Sequence, residues 1–557
     1  MPKLKDIVPL GLIVVSIVVG AGYWFSQKHQ LESFVQQIDS IKVNQNKPIE
    51  PKDYIAMKRD ILTLQNTFNS SVFQLVSGLL FLVTAYTAWL NLVASEKKQI
   101  TERFAKAVDQ LGSNELGVRV GGIFALEQIA RSSPEEHWTV IEVLTSYIRD
   151  QSLKGKSVFK PEPEVDDNQS GESTYQSILK KIRTEQSISV TTDIQAALTV
   201  ICRRNNKQDP RDIVIDLSFC DIRGADLKKA KLSNADLRGA KISGVNLENA
   251  NLSSANLQGA NFTRSVLKGA RLNKSKLNNA LLNESYLEKT DLQDSDLTSA
   301  NLKYASLKYA KLNRAKLKLA VLVKAELQGA NLSQAELKHT NLRDAIIDDT
   351  TKLDEKWKRV HQINMGGGRG QKFDGVDFSE AILTDADFEG SSLKNTIFSG
   401  ADIGGANFRN ADLEGAVFRK LGLMTILDMA DFGDAYLKGA SFEEASLKCT
   451  NFSGKNRRTD MSGVIFREVN LASAIFENVL LRKAKFFRSM LQDTNFRRSN
   501  LKEAEFDNCY SYTNDTSFEE AALDKAIFIG SLGSANFRNS NHQKANFQDA
   551  DKSSVQF

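Results

Sequence analysis

Proline is missing from the larger part of the chain: all eight prolines of the 557 residues lie at or before Pro210. Beyond that point every backbone N–H is available to a hydrogen-bonded ladder, which proline would interrupt. Cysteine is scarce. Cys202, Cys220, Cys449 and Cys509 share no metal-ligand or redox spacing and read as free structural thiols of a reduced compartment. The five histidines, His29, His137, His339, His361 and His542, lie far apart, so no histidine-based metal site or general base assembles from neighbours in sequence. A nucleophile elbow and a phosphate cradle with the right flanks are also lacking. Charge of one sign never dominates. Residues 211–350 carry 22 Lys+Arg against 16 Asp+Glu, and residues 371–557 carry 22 against 27. Neither balance makes the single-sign field of a nucleic-acid binder or of a strong nucleic-acid mimic. No catalytic, cofactor-binding or metal-ligating residue is therefore expected, and binding is the class of function left.

What is present is a repeat. From Leu217 to Ile347 a large apolar residue returns every fifth position in a unit close to A-[D/N]-L-x-x, as in Ala225-Asp226-Leu227, Ala250-Asn251-Leu252 and Ala330-Asn331-Leu332. Five residues advance an α-helix ~140° beyond a full turn, which scatters the leucines around the axis. In a straight strand they would alternate faces, because five is odd. The chain must bend once per unit, so that each leucine and the small residue two before it face one interior. A narrow tube filled by one large and one small residue per side leaves no voids.

This unit resembles the pentapeptide repeat family, from about residue 213 to Phe557. The resemblance implies right-handed β-helices of square cross-section with four units to a coil. The expected fold class is mainly β: two such quadrilateral solenoids, preceded by two transmembrane helices and a small all-α segment. The expected divisions are 1–98, 99–150, 151–190, 191–348, 349–372 and 373–557.

Two apolar runs open the chain. Ile7 to Phe25, closed by Tyr23-Trp24, and Val72 to Ala94 are each long enough to cross most of a ~30 Å hydrocarbon layer. A competing reading makes the first run a cleaved signal peptide, since Lys3 and Lys5 precede a core ending in Gly20-Ala21-Gly22. Lys3 and Lys5 before the first run, and Lys97, Lys98, Arg103 and Lys106 after the second, place both termini in the cytoplasm of a bacterial cell, with the protein in an inner or internal membrane. In the exported loop, Leu31, Phe34, Ile38 and Ile41, then Tyr54, Met57, Ile61, Leu64 and Phe68, follow helical spacing on either side of Pro48 and Pro51. The reading is a helical hairpin packed within one chain, the alternative an oligomerising coiled coil.

Helices are expected over Ile100–Leu111 and Val118–Arg131, and over a third segment capped by Ser133 with Pro134 at its first position. Glu102-Arg103-Phe104, the stretch Val118 to Glu127 and Glu136-His137-Trp138 resemble the armadillo-like segment that precedes many bacterial pentapeptide arrays. Three such helices make a thin core and must dock on something. Residues 151–190 read as a polar linker. Thr192 caps a helix through Ile194, Ala197, Leu198 and Ile201 that plugs the open end of the first coil. After Ile347, Lys352 to Asn364 is a helical connector into Gly366–Gly370, not a phosphate loop.

From Phe373 the large residues alternate aromatic and aliphatic: Phe378, Leu383, Phe388, Leu393, Phe398, Ile403, Phe408, Leu413, Phe418, Leu423. With four sides per coil this stacks phenylalanines on two opposite sides. The alternation places four-residue corner loops between Leu423 and Phe432 and between Phe452 and Met461. It also calls for one further unit between Phe506 and Phe518, and for Leu532 between Phe528 and Phe537.

Departures from the polar outer pattern mark the candidate partner surface. These are Lys455, Arg457 and Arg458 in an inserted loop; Arg482, Lys483, Lys485, Arg488, Arg497 and Arg498 as a basic patch; Tyr510 and Tyr512 in a second loop; and Leu319, Val321 and Val323 as an outward apolar cluster. The expected function is a non-enzymatic, membrane-anchored scaffold for an unidentified protein partner, without cofactor or nucleic acid. The alternative is a DNA-mimicking protector of a type II topoisomerase, as the resemblance implies for some members. Those want an acidic stripe, whereas this chain offers basic loops and a membrane tether.

Overall fold

The structure is a computed structural model that describes residues 4–43, 50–154, 190–210, 213–511, 516–531, 533–551 and 555–556. It forms two compact units, Met1–Asp109 and Gln110–Phe557.

The first unit is a pair of long helices, α1 (Leu4–Val43) and α2 (Pro51–Leu111). They run antiparallel: Gly20 lies beside Leu75, and the Trp24 and Phe68 rings are 6.4 Å apart. Pro51 opens α2 at the position where its missing N–H costs nothing. The connection expected near Pro48 lies outside the described residues. α2 is one 61-residue helix, so the separate helix expected from Ile100 is its continuation. Ser95 to Gln99 contain no glycine or proline that would break it. Among the described residues α2 is the helix long and apolar enough to cross a membrane, and its apolar window is exposed. Val15, Val18 and Val19 on α1 and Phe73, Leu80 and Phe81 on α2 face outward.

The second unit begins with α3 (Leu116–Ser132), α4 (His137–Lys154) and α5 (Thr192–Arg203) packed on one another. α4 starts three residues later than expected, Pro134 to Glu136 forming a turn, and Thr191 rather than Thr192 holds the N-cap position of α5. Residues 155–189 of the expected linker lie outside the described residues. The three helices converge on Asp193, which is buried. Arg119 Nε donates to it at 2.6 Å, and the Tyr147 hydroxyl at 2.5 Å.

α5 covers the open edge of the first coil. Gln195 Nε2 donates to the Asp226 carbonyl and its Oε1 accepts the Asp226 N–H, both at 2.9 Å, so one side chain completes the ladder pairing a preceding coil would supply. Arg204 donates to the Lys231 carbonyl at 2.6 Å, and Arg149 pairs with Asp216.

From there each residue before a leucine bridges, in parallel, the residue twenty positions on: Asp216 with Asp236, Asp236 with Asn256, Asn256 with Lys276. Twenty residues per coil are four units of five. Each corner is a β-turn closed by the next small residue, as in Ala225 N–H to Ile222 O at 3.2 Å, with its third residue in the left-handed region (Gly224 φ 70°, Lys229 φ 59°). The Asp or Asn before the leucine has a structural task. Its Oδ1 accepts the N–H two residues on, as from Ser218 to Asp216 at 3.0 Å and Ser253 to Asn251 at 3.1 Å, which pre-forms the corner. Inward hydroxyls that replace alanine are satisfied, threonine across coils, as Thr340 to Leu317 O at 2.7 Å and Thr450 to Leu427 O at 3.0 Å, and several serines within their own corner, as Ser275 to Leu272 O at 2.6 Å. Glycine is required where a corner side chain lies flat on the next coil. A Cβ on Gly239 would meet the Phe219 ring at 2.6 Å, and one on Gly329 the Tyr309 ring at 2.5 Å.

The connector is α6 (Glu355–Gln362), widening at Ile363–Gly367, with Trp357, Val360 and Ile363 buried. The arrays it joins also meet each other directly. His339 N–H donates to Glu380 O at 2.7 Å, and Lys338–Glu380 (2.9 Å) and Arg343–Asp385 (3.3 Å) pair across the junction, while Lys356 of the connector pairs with Asp377 (3.3 Å).

In the second array two columns of phenylalanine fill the bore. Phe398, Phe418, Phe442, Phe466 and Phe486 stack in one, Phe408, Phe432, Phe452, Phe476 and Phe496 in the other, with ring edges of one column meeting faces of the other. On the first column lie short parallel strands in unbroken register, β1 (Val417–Arg419), β3 (Ser441–Glu443), β5 (Ile465–Arg467) and β6 (Lys485–Phe487), with β2 (Thr425–Ile426) and β4 (Ala445–Ser446) on the next side.

The register corrects one expectation. Leu427, not Leu423, occupies the aliphatic slot: Asp402 bridges Ile426, Leu427 is buried, and Leu423 is exposed. The inserted loop therefore precedes the slot, between Phe418 and Leu427. The small residue two before decides it. Leu427 follows Thr425, which fits inward and donates to Arg419 O at 2.6 Å, whereas Leu423 follows Leu421, which does not fit. Met461 does take its expected slot, since Tyr436 bridges Asp460. Between Phe506 and Phe518 the unit is Cys509-Tyr510-Ser511, and a small void opens beside Leu491 where the large residue is a serine. Leu532 lies outside the described residues.

Candidate functional site

The filled bore confines function to the outside, and the ladder fixes what each outer residue neighbours. In the second array the coil has four faces: A under Leu437, Met461, Leu481 and Leu501; B under Phe442, Phe466 and Phe486; C under Leu447, Leu471 and Leu491; D under Phe452, Phe476 and Phe496.

The loop Gly454 to Asp460 leaves the corner from D to A and is built around a buried anion. Asp434, whose side chain is inaccessible, accepts N–H bonds from Asn456 at 3.0 Å and Arg457 at 2.8 Å and pairs with Arg409 at 3.1 Å. Burial alone would raise its pKa, but these backbone donors and the Arg409 charge hold it below the usual carboxylate value. Arg457 also donates through Nε to Asp434 O, so it pins the loop. Lys455 and Arg458 are exposed, with no carboxylate partner among the described residues.

The six cations from Arg482 to Arg498 do not form one patch. Arg482 and Lys483 lie at the corner after face A, Lys485 on face B, Arg488 at the corner after B, and Arg497 and Arg498 at the corner after D. Carboxylates of neighbouring coils interleave with them: Lys483–Glu503 (3.7 Å), Lys485–Glu505 (3.6 Å), Arg488–Glu468 (3.8 Å), Arg497–Glu520 (2.9 Å) and Arg498–Glu520 (2.7 Å). Arg498 and Arg497 together hold Glu520 at about 2. Arg482 alone of the six has no such partner among the described residues. Sequence runs of like charge misled here because the ladder pairs residue i with i±20 rather than with its sequence neighbours.

In the first array Val321 and Leu281 both bridge Asn301, so they share a face two coils apart. Leu319 sits at the preceding corner, exposed with φ 61°, and Val323 is half-buried. Tyr304, on the coil before Val323, is flanked by the ammonium groups of Lys303 and Lys324 at 5.2 and 5.5 Å from its ring. Tyr510 is exposed on face C, and Tyr512 lies outside the described residues.

Two features were not anticipated. One is a groove of about 770 Å³ between α5 and the first coil, lined by Gln195, Cys202, Arg203, Asp226, Lys228 and Lys229. The other is the apolar loop from Leu421 to Met424. Among the described residues no three His, Cys, Asp or Glu side chains could hold a metal ion, and burial pushes the Cys202, Cys220 and Cys509 thiols up to about 12.

Four units to a coil, a bore packed with leucine or phenylalanine, Asx-braced corners and a helical cap define a quadrilateral β-solenoid. The chain belongs to the pentapeptide repeat family. The family's model for pentapeptide repeats matches residues 215–249, 246–283, 280–318, 310–349, 425–454 and 480–510, and a second pentapeptide repeat model matches 372–420. A pentapeptide repeat protein from the Arabidopsis thaliana thylakoid lumen is 33% identical over 21% of this chain and 72% of its own, with a TM-score of 0.16. HetL, a pentapeptide repeat protein involved in heterocyst differentiation regulation in the cyanobacterium Nostoc, is 21% identical over 56% of this chain and 89% of its own, with a TM-score of 0.11. QnrB1, a plasmid-mediated fluoroquinolone resistance protein, is 16% identical over 44% and 88%, with a TM-score of 0.14. No curated protein sequence matches the chain.

Proposed function

We propose that this chain is a non-enzymatic scaffold, anchored by α1 and α2 in a bacterial inner or internal membrane with both termini cytoplasmic, that offers the outer surface of its β-helix to a protein partner. The observation that carries the reading is a division of apolar surface. The solenoid buries the large residue of nearly every repeat unit in its bore, whereas α2 exposes an apolar window long enough to span a bilayer. Apolar helix surface of that length is stable in lipid and costly in water. Within the solenoid, Lys455, Arg458 and Arg482 are the cations best placed for a partner, because they are exposed and uncommitted while their neighbours are paired.

The test is affinity capture from native membranes with the full chain and with the Lys455→Glu, Arg458→Glu double variant. The variant is expected to lose proteins that the original retains while its circular dichroism is unchanged. Identical recovery from both would reject these residues as the partner site.

A further inference from the structure

The insertion between Phe418 and Leu427 is where the solenoid displays apolar side chains that its bore has no use for. Ordinary corners turn within two residues. Here the chain runs out through Arg419 and Lys420, reverses at Leu421-Gly422-Leu423, and returns at Thr425. Gly422 makes the reversal at φ 73°. Leu421, Leu423 and Met424 are 45%, 46% and 47% exposed, and Met429, at the next corner, is 71% exposed. Ile426 and Ile397 flank them on faces C and B. Elsewhere among the described corners of the second array this left-handed position carries a polar or charged residue, glycine or Cys449, as at Asp385, Gly405, Glu444 and Lys483.

Two further observations say what this tip meets. Part of its backbone pairs with itself: Leu421 N–H donates to Leu423 O at 3.1 Å and Leu423 N–H to Leu421 O at 2.9 Å. These groups therefore lose no partner when the tip leaves water, the condition an apolar phase imposes on backbone. At the base, Glu443, opposite Arg419 in the strand register, pairs with Arg467 at 3.8 Å. Lys420 is paired with Glu444 at 2.7 Å, while Arg419 is exposed with no carboxylate partner among the described residues. Apolar side chains at the tip and an uncommitted guanidinium at the root complement a bilayer surface, where acyl chains lie beneath anionic headgroups.

We infer that the 419–424 hairpin is a lipid-contacting tip: Leu421, Leu423 and Met424 enter the boundary between headgroups and acyl chains of an anionic bilayer, with Arg419 at headgroup level. The inference goes beyond the anchoring proposed above, which would only raise the local concentration of lipid at the tip.

The test uses the full chain carrying Cys449→Ser and Leu423→Cys, labelled with an environment-sensitive fluorophore and mixed with vesicles of phosphatidylcholine alone or with added phosphatidylglycerol. A label at Asn410→Cys, on the diagonally opposite corner, is the control. Expected is a blue shift at 423 that grows with phosphatidylglycerol, is quenched by a lipid-borne quencher and shrinks in Arg419→Glu, with 410 remaining as in water. A 423 label that stays water-like in anionic vesicles overturns the inference. So does a shift that follows protein density instead of lipid charge, which would mark a second copy as the occupant. Flotation of the same samples reports membrane attachment separately, so loss of anchoring and loss of tip contact are distinguishable.

Discussion

The rings of Phe418 and Phe442, one coil apart, lie parallel within 3° at a centroid distance of 4.7 Å. Phe398 continues the stack below at 5.2 Å, and Phe432 meets Phe418 edge to face at 6.3 Å, so Phe418 is enclosed by aromatic neighbours. Truncating it to alanine removes a fully buried ring from a tube whose coils are tied above and below and cannot collapse inward. Phe418→Ala is expected to cost roughly 3–5 kcal/mol. Leu423→Ala, five residues on and outside the bore, is expected to change stability by no more than about 0.5 kcal/mol. Urea titration followed by circular dichroism checks both, and equal effects would mean that Leu423, not Leu427, lines the tube.

Asp193 ties the helical cap together. Burial alone would raise its pKa, but hydrogen bonds from Thr191, the Tyr147 hydroxyl, the Arg119 guanidinium and the Ile194 N–H outweigh it and hold the carboxyl at about 2. A carboxylate whose folded pKa lies below its unfolded value of ~3.9 stabilises above that value, and the stabilisation is lost as pH falls toward 2. The contribution at neutral pH is on the order of 2 kcal/mol. Asp193→Asn should lower the thermal midpoint at pH 6 and lose less than the original protein between pH 4 and pH 2. Parallel acid curves for the two proteins would rule out this role.

Asp434 organises the 454–460 loop from beneath, through the N–H groups of Asn456 and Arg457. Asp434→Asn removes the charge that Arg409 and these donors share, leaving charge-assisted bonds of about 1.5–3 kcal/mol weakened. Trypsin should then cut after Arg457 or Arg458 faster in the variant, while the coils on either side stay resistant. Unchanged cleavage would show that the loop holds its shape without the carboxylate.

Much of this architecture was legible because one residue class serves one position. The five-residue period, the proline-free stretch and the phenylalanine alternation each follow from a bore that accepts a single large side chain per side. The large-residue rhythm alone puts the break after Leu423; the small residue two positions before each large one separates Leu427 from Leu423 and puts it after Phe418. The surface was far less legible. Arg497 reads as part of a basic cluster along the chain, yet its partners Glu519 and Glu520 belong to the next coil, and only the twenty-residue ladder brings them together. Gln195 carries no motif at all, and its role exists only because the first coil presents Asp226 without a neighbour.

Alkaline carbonate washing of membranes from cells making the full chain tests most directly the proposal that α1 and α2 hold the solenoid at a membrane. The full chain should remain in the pellet, and a chain beginning at residue 99 should be released. Recovery of the full chain in the supernatant would contradict it.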